Sequence, residues 1–287
     1  MTQINVKVTG MKIRHYYLAL IGLSLREITK FSKQKGRLFS AIVRPALWLF
    51  VFAAGVGSAR GIDPGILNFY PTQNVNYFEY ITPGLLGMVL LFSGMQSSLS
   101  MVYDREMGVM KILLTVPLPR WYMLLAKLIS GTLLSIIQAY CFLIICIPIV
   151  NIYTPFLTHF TGWLVAFPFI VLFGLMLGSL GLLLSVYIKQ LENFAGTMNF
   201  VIFPMFFISS ALYPLWRLVD NGALFVYYLA KANPFTYGVE MVRAASLGNF
   251  YLEGFIVCLL SSLVFLFLAV KGYNPQYNVT KKLSKKN

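Results

Sequence analysis

Six stretches of this chain are each long and apolar enough to cross a bilayer, and of the charged residues only Arg44, in the first, and Lys127, near the start of the third, fall within them. A helix spanning about 30 Å of hydrocarbon needs about 20 apolar residues. The first stretch runs Leu38–Ser58, the second Tyr80–Val102, and the third Met123–Val150 with Pro148 near its end. The fourth covers Gly162–Ile188, the fifth Phe194–Tyr213 with Pro204 inside, and the sixth Phe255–Val270. Only 11% of the 287 residues are charged, against roughly 25% in soluble domains. So few charges cannot coat a water-soluble globule of this size, and so apolar a chain is not disordered. The expected fold class is therefore an all-α polytopic membrane protein with six transmembrane helices.

Charge placement sets the orientation. With both termini cytoplasmic, the inside segments carry eighteen Lys and Arg and the outside connections four, Arg60, Arg217, Lys231 and Arg243. Positive residues are retained on the cytoplasmic side, so the net charge of +14 is accounted for by topology and nucleic-acid binding becomes unnecessary. Cys141, Cys146 and Cys258 lie in apolar runs without a CxxC pair or a nearby His, which supports neither a disulfide framework nor a metal site. The expected domains are a cytoplasmic N-terminus over 1–37, a transmembrane domain over 38–272 and a basic tail over 273–287.

Two segments are amphipathic but too short to span. Residues 13–35, read at 100° each, place Ile13, Tyr17, Leu20, Ile21, Ile28 and Phe31 on one side and His15, Arg26, Thr29 and Lys33 opposite. This predicts a helix in the inner headgroup plane with its basic face toward water. The other segment, 214–249, has one apolar run of nine residues, Gly222–Ala230, followed by Asn233-Pro234, an N-cap with proline at the first helical position. A helix from Pro234 would carry Phe235, Val239 and Val242 on one side and stop at Gly248. The segment reads as a re-entrant or outer-leaflet helical hairpin, with an ordinary surface helix as the alternative.

All nine acids fall in connections or at span ends, and His15 and His159 lie outside the spans, so no acid–base pair or metal cluster can assemble at mid-bilayer. There is no GxxxxGK[ST] phosphate loop. Any energy source for transport would then sit on another polypeptide. Arg44, inside the first span, and the intramembrane Gln138 and Asn199 are candidate groups along a translocation path. Snorkelling of Arg44 to the headgroups and helix-joining by the two amides are the competing readings.

The connection from Tyr103 to Trp121 is the most informative. Asp104 and Glu106 at its start and Lys111 later suit the dipole of a helix beginning there, and Pro117 and Pro119 end it. Such a helix exposes Met, Ile and Leu toward the cytoplasm, either to a partner or to lipid. The segment resembles the ABC-2 type transporter permease family, whose second-to-third connection reads acidic-Arg-Glu, a glycine two residues on, Leu-Leu-x-x-Pro, and a Lys opening the next span. Asp104, Arg105, Glu106, Gly108, Leu113, Leu114, Thr115, Pro117 and Lys127 match. Val109-Met110-Lys111 stands where Thr-x-Glu is usual, so Lys111 reverses a charge on this element. Arg44-Pro45-Ala46-Leu47-Trp48 is similar to the family's first-span opening, and Asn233-Pro234-Phe235-Thr236-Tyr237 with Arg243 to its element before the last span.

The resemblance, over roughly residues 10–272, implies a permease that pairs with a second copy or a sister permease in the cell membrane. Each permease docks a cytoplasmic ATPase through the second-to-third connection, and ATP and Mg reside on that partner, so this chain binds no cofactor and is no enzyme. It implies export of amphipathic drugs, lipids or glycolipids. It assigns ATPase coupling to Asp104, Arg105, Glu106, Gly108, Lys111, Leu113, Leu114 and Pro117. An outer gate falls to Asn233, Pro234, Phe235, Tyr237 and Arg243. An integral-membrane transferase acting on lipid is the alternative, opposed by the lack of acidic or histidine clusters. An ion-coupled carrier is opposed by the acid-free spans and the lack of an inverted repeat.

Overall fold

The computed structural model describes residues 13–33, 36, 43–51, 77–110, 119–151, 160–188 and 190–273, and among them every regular element is helical. In chain order the helices are α1 (Ile13–Ser32), α2 (Tyr77–Glu106), α3 (Arg120–Asn151), α4 (Phe160–Val165), α5 (Phe167–Tyr187), α6 (Leu191–Phe207), α7 (Trp216–Asp220), α8 (Leu224–Ala232), α9 (Pro234–Ser246) and α10 (Leu252–Gly272). Residues 43–51 are also helical. Four of these helices, α2, α3, α5 and α10, are long and apolar enough to cross a membrane.

α5 is apolar on every side, and it sits at the centre, packed on α2, α3 and α10. Small residues let the axes approach. A Cβ placed on Gly94 of α2 would lie 3.2 Å from the backbone nitrogen of Gly178 of α5. α1 packs on α3, α6 on α2, and α9 on α10, α2 and α4. Phe235 of α9 meets Phe173 of α5 and Phe206 of α6 at ring separations of 5.3 and 6.2 Å, joining three elements in one aromatic core. α10 is the most exposed of the long helices, with Leu260, Leu263 and Phe267 turned outward.

Several expectations are altered by local chemistry. The fourth stretch is two helices, α4 and α5, meeting at Ala166, because Pro168 cannot donate to the carbonyl four residues back. The fifth ends at Phe207, and residues 208–213 form a turn after Pro204. Asp104 and Glu106 do not begin a helix. They lie in the last turn of α2, which stops at Gly108 (φ +76), and helix resumes at residue 109. A left-handed residue there favours glycine, and the helix dipole at that end disfavours both acids. Finally, α1 divides its polar residues between surface and interior. Thr29 and Lys33 are exposed, as are Tyr17, Leu18 and Leu25, while Glu27 is buried and Arg26 and Lys30 are half-buried. The first span is described only over 43–51, and Lys111, Leu113, Leu114, Thr115, Pro117, the outer connection after the first span and the tail lie outside the described residues.

Candidate functional site

The inward charges of α1 meet the facing ends of α2 and α3. Asp104, in the last turn of α2, is almost fully buried. Its Oδ1 accepts from Lys30 Nζ at 2.9 Å and Arg26 Nη2 at 3.1 Å, and its Oδ2 from Lys127 Nζ at 2.9 Å. Glu27, also buried, accepts from Arg26 Nη1 at 3.0 Å, Lys127 Nζ at 3.2 Å and the Ser100 hydroxyl at 2.9 Å. Three cations thus surround two carboxylates, drawn from three helices separated by up to a hundred residues in sequence. The pairing explains why Asp104 tolerates the unfavourable end of α2, since its buried carboxylate has three cationic neighbours. It also explains the rotation of α1, because Arg26 and Lys30, one turn apart, straddle Asp104.

Around this cluster the same joint is laced to the other helices. Arg105 Nη1 donates to the Ile188 carbonyl at the end of α5 (3.3 Å), and the Tyr273 hydroxyl donates to Met110 Sδ (3.2 Å) beyond the Gly108 turn. Tyr122 of α3 donates to the Tyr16 carbonyl, with the two rings edge to face at 5.5 Å. Glu106 and Met107 remain exposed beside this rigid joint. No group of His, Cys, Asp and Glu among the described residues could hold a metal. What the arrangement can do is carry force, since displacing the Gly108 turn must drag α1, α2 and α3 together.

Of the coupling residues expected from sequence, Asp104 and Arg105 lie in this joint and Glu106 and Gly108 at its edge. Lys127, matched as the opening of the third span, is its centre. Glu27 and Lys30 escaped notice and Arg26 was read only as part of a water-facing basic side, although Glu27 is the only acid among the first 62 residues and stands amid eight basic ones. The path candidates do not converge. Arg44 and Asn199 are exposed on neighbouring elements, with the Arg44 guanidinium 5.0 Å from the Phe92 ring, which in turn meets Phe203 of α6 at 6.4 Å. Gln138 is buried in α3, and its amide has no hydrogen-bond partner among the described residues. In segment 214–249, Phe235 and Arg243 are buried and Asn233 and Tyr237 half-buried.

Residues 19–247, from α1 through α9, match the model of the ABC-2 type transporter family. The chain belongs to that family. The permease is 28% identical over 207 residues to ycf38 of Cyanophora paradoxa, which carries a transport-permease name, covering 72% of this chain and 66% of that protein. It is 28% identical over 181 residues to YbhR of Escherichia coli (strain K12), named as a multidrug ABC transporter permease, over 62% of this chain and 46% of that protein. With the inner membrane transport permease YadH of the same strain it shares 23% identity over 235 residues, 81% of this chain and 84% of the relative. The chain thus spans less than two thirds of the length of the first two.

Proposed function

We propose that this permease is the transmembrane subunit of an ATP-driven exporter in the cell membrane, working as a dimer with a second or sister permease and with a separate ABC ATPase on its cytoplasmic side. ATP and Mg reside on that ATPase. In this reading the chain has six spans and cytoplasmic termini, with 43–51 in the first span and α6 as the fifth, and 214–249 is a re-entrant outer hairpin. The observation that carries it is the ionic joint at Asp104, which makes α1, α2 and α3 one mechanical unit beside the exposed Glu106 and Met107. The partner docks on the 103–121 connection, and its ATP-driven closure pushes this unit and tilts the spans.

The substrate class is an amphipathic drug, lipid or glycolipid. The exposed side of α6 and segment 43–51 supports this, offering the cation Arg44 and the amide Asn199 beside the exposed Phe200. The multidrug name of YbhR supports the drug arm.

The test is co-expression with each ABC ATPase subunit of the same genome, purification, and reconstitution in proteoliposomes. The expected result is a stable complex whose hydrolysis is stimulated by substrate, with Asp104→Asn retaining the complex and losing the stimulation. Failure of the unmodified permease to bind any of these ATPases would overturn the reading.

A further inference from the structure

The last four carbonyls of an α-helix find no partner within it, and buried ones must find one elsewhere. At the outer end of α6 each is answered. Pro204 O accepts from Ile208 N–H at 2.9 Å, and Phe206 O from the Ser209 hydroxyl at 2.6 Å. Phe207 O accepts from the Tyr213 hydroxyl at 2.6 Å. Met205 O is taken by Asn233 Nδ2 at 2.7 Å, and the same amide donates to Ile208 O at 2.7 Å.

Two residues beyond Ile208, Ser210 O accepts from Arg243 Nη2 at 3.0 Å and from the Tyr80 hydroxyl at 2.9 Å. Asn233 and Arg243 stand at opposite ends of α9. Asn233 Oδ1 also caps α9, accepting from Phe235 N–H at 3.0 Å. Arg243 is wholly buried, its guanidinium 3.9 Å from the Tyr80 ring centroid, donating to Tyr80 O at 3.2 Å and paired with Glu240.

The rest of α6 is held far less. Its buried side chains are Phe194, Ile202 and Phe206, a Cβ on Gly196 would meet nothing within 4 Å among the described residues, and Asn199 and Phe200 are exposed. The helix is clamped at one end. We infer that Asn233 and Arg243 are positioning residues that pin the outer end of α6, so that α6 pivots about that end while its inner half moves during transport. The pin stands on the hydrogen bonds alone, and the pivot rests on the exporter reading above. Irregular backbone at membrane depth is tolerated only where protein satisfies it, which gives the pin its physical necessity at residues 208–213.

The experiment is deuterium exchange of backbone amides in the permease–ATPase complex in lipid nanodiscs, with transport per ATP hydrolysed measured in parallel. Asn233→Ser keeps an oxygen to cap α9 but removes both donations to α6. Losing two neutral hydrogen bonds should speed exchange across 205–213 about tenfold, with α9 unchanged. Transport per ATP should fall several-fold at an unaltered hydrolysis rate. In the unmodified complex ATP should raise exchange over 191–199 and leave 205–213 protected.

Unchanged exchange in Asn233→Ser refutes the pin, and lost transport with unchanged exchange makes Asn233 a substrate contact instead. ATP-induced opening of 205–213 with 191–199 protected refutes the pivot, as does faster exchange with transport intact. Should Asn233→Ser fail to accumulate, Arg243→Lys, which keeps the charge but not the planar fork, takes both readouts. If the unmodified complex transports nothing with ATP, the exporter reading and the pivot fall together, while the exchange of Asn233→Ser still decides the pin.

Discussion

Replacing Lys127 by methionine removes the charge at the centre of the ionic joint while keeping most of the side-chain stem. The Asp104 side chain is 1% exposed and that of Lys127 12%, whereas Arg26 and Lys30 are 33% and 25% exposed. Removing one partner of a buried pair costs about 3–5 kcal/mol, but exposed pairs contribute only about 0–1 kcal/mol. Asp104 keeps Arg26 and Lys30 when Lys127 is lost, so Lys127→Met should destabilise the permease by about 2–3 kcal/mol, at or just below the lower end of the buried range. Combined with Asp104→Leu, it should show a coupling energy of about 2 kcal/mol, because the second change removes the charge that the first left exposed to a dry environment. The same cycle with Lys30→Met should give under about 1 kcal/mol, since that pair is open to solvent screening. Reversible unfolding in mixed micelles measures both cycles. Additivity of Lys127→Met and Asp104→Leu within about 0.5 kcal/mol, or stronger coupling through Lys30, would refute the assignment of Lys127 as the centre.

Glu106→Lys places a cation in the last turn of α2, where the dipole favours it by about 0.3–1 kcal/mol, so unfolding should shift to slightly higher denaturant while ATPase co-purification falls. Gly108→Ala meets no neighbour within 4 Å among the described residues but forces a side chain into φ +76, costing about 1–2 kcal/mol; limited proteolysis should report a loosened 103–121 connection in an otherwise intact chain. Gly94→Ala should destabilise more than Gly178→Ala, because the added carbon meets Gly178 backbone at 3.2 Å in the first case and the movable end of Leu128 at 3.0 Å in the second, and thermal midpoints in detergent compare them. Single cysteines near Lys35, Lys111 and Lys282 in a cysteine-free background should resist impermeant thiol reagents in intact cells, while ones near Asn68 and Asn221 react; labelling at Lys111 from outside would overturn the topology.

What the sequence revealed divides by range. α9 was legible to the residue, because its start depends on Asn233 and Pro234 and its end on Gly248 (φ +79), all within one local segment. The long apolar helices were legible because length and composition suffice. The orientation of α1 was not, because periodicity separates apolar from polar faces but cannot say that a polar face is wanted by a carboxylate 78 residues away. The break at Ala166 had a visible cause in Pro168, yet a proline inside an apolar run reads equally as a tolerated kink. Asn233 and Arg243 were seen in sequence as an outer element, but their donor groups are used on the end of α6, and no spacing rule connects residue 205 to residue 233.

The helices of this permease differ greatly in length. α2 and α3, at 30 and 32 residues, are about 45 and 48 Å long, α5 and α10, at 21 residues each, about 31 Å, and α6, at 17, only about 26 Å. A hydrocarbon layer of about 30 Å fits α5 and α10, is overshot by α2 and α3, and is undershot by α6. Such mismatch is relieved by tilting the long helices and by thinning the lipid beside the short one. The two leaflets would then lie nearest each other along the face that carries Asn199 and Phe200, and the thickness of the surrounding membrane, set by acyl-chain length, becomes a control on how far any lipid-borne molecule must travel there.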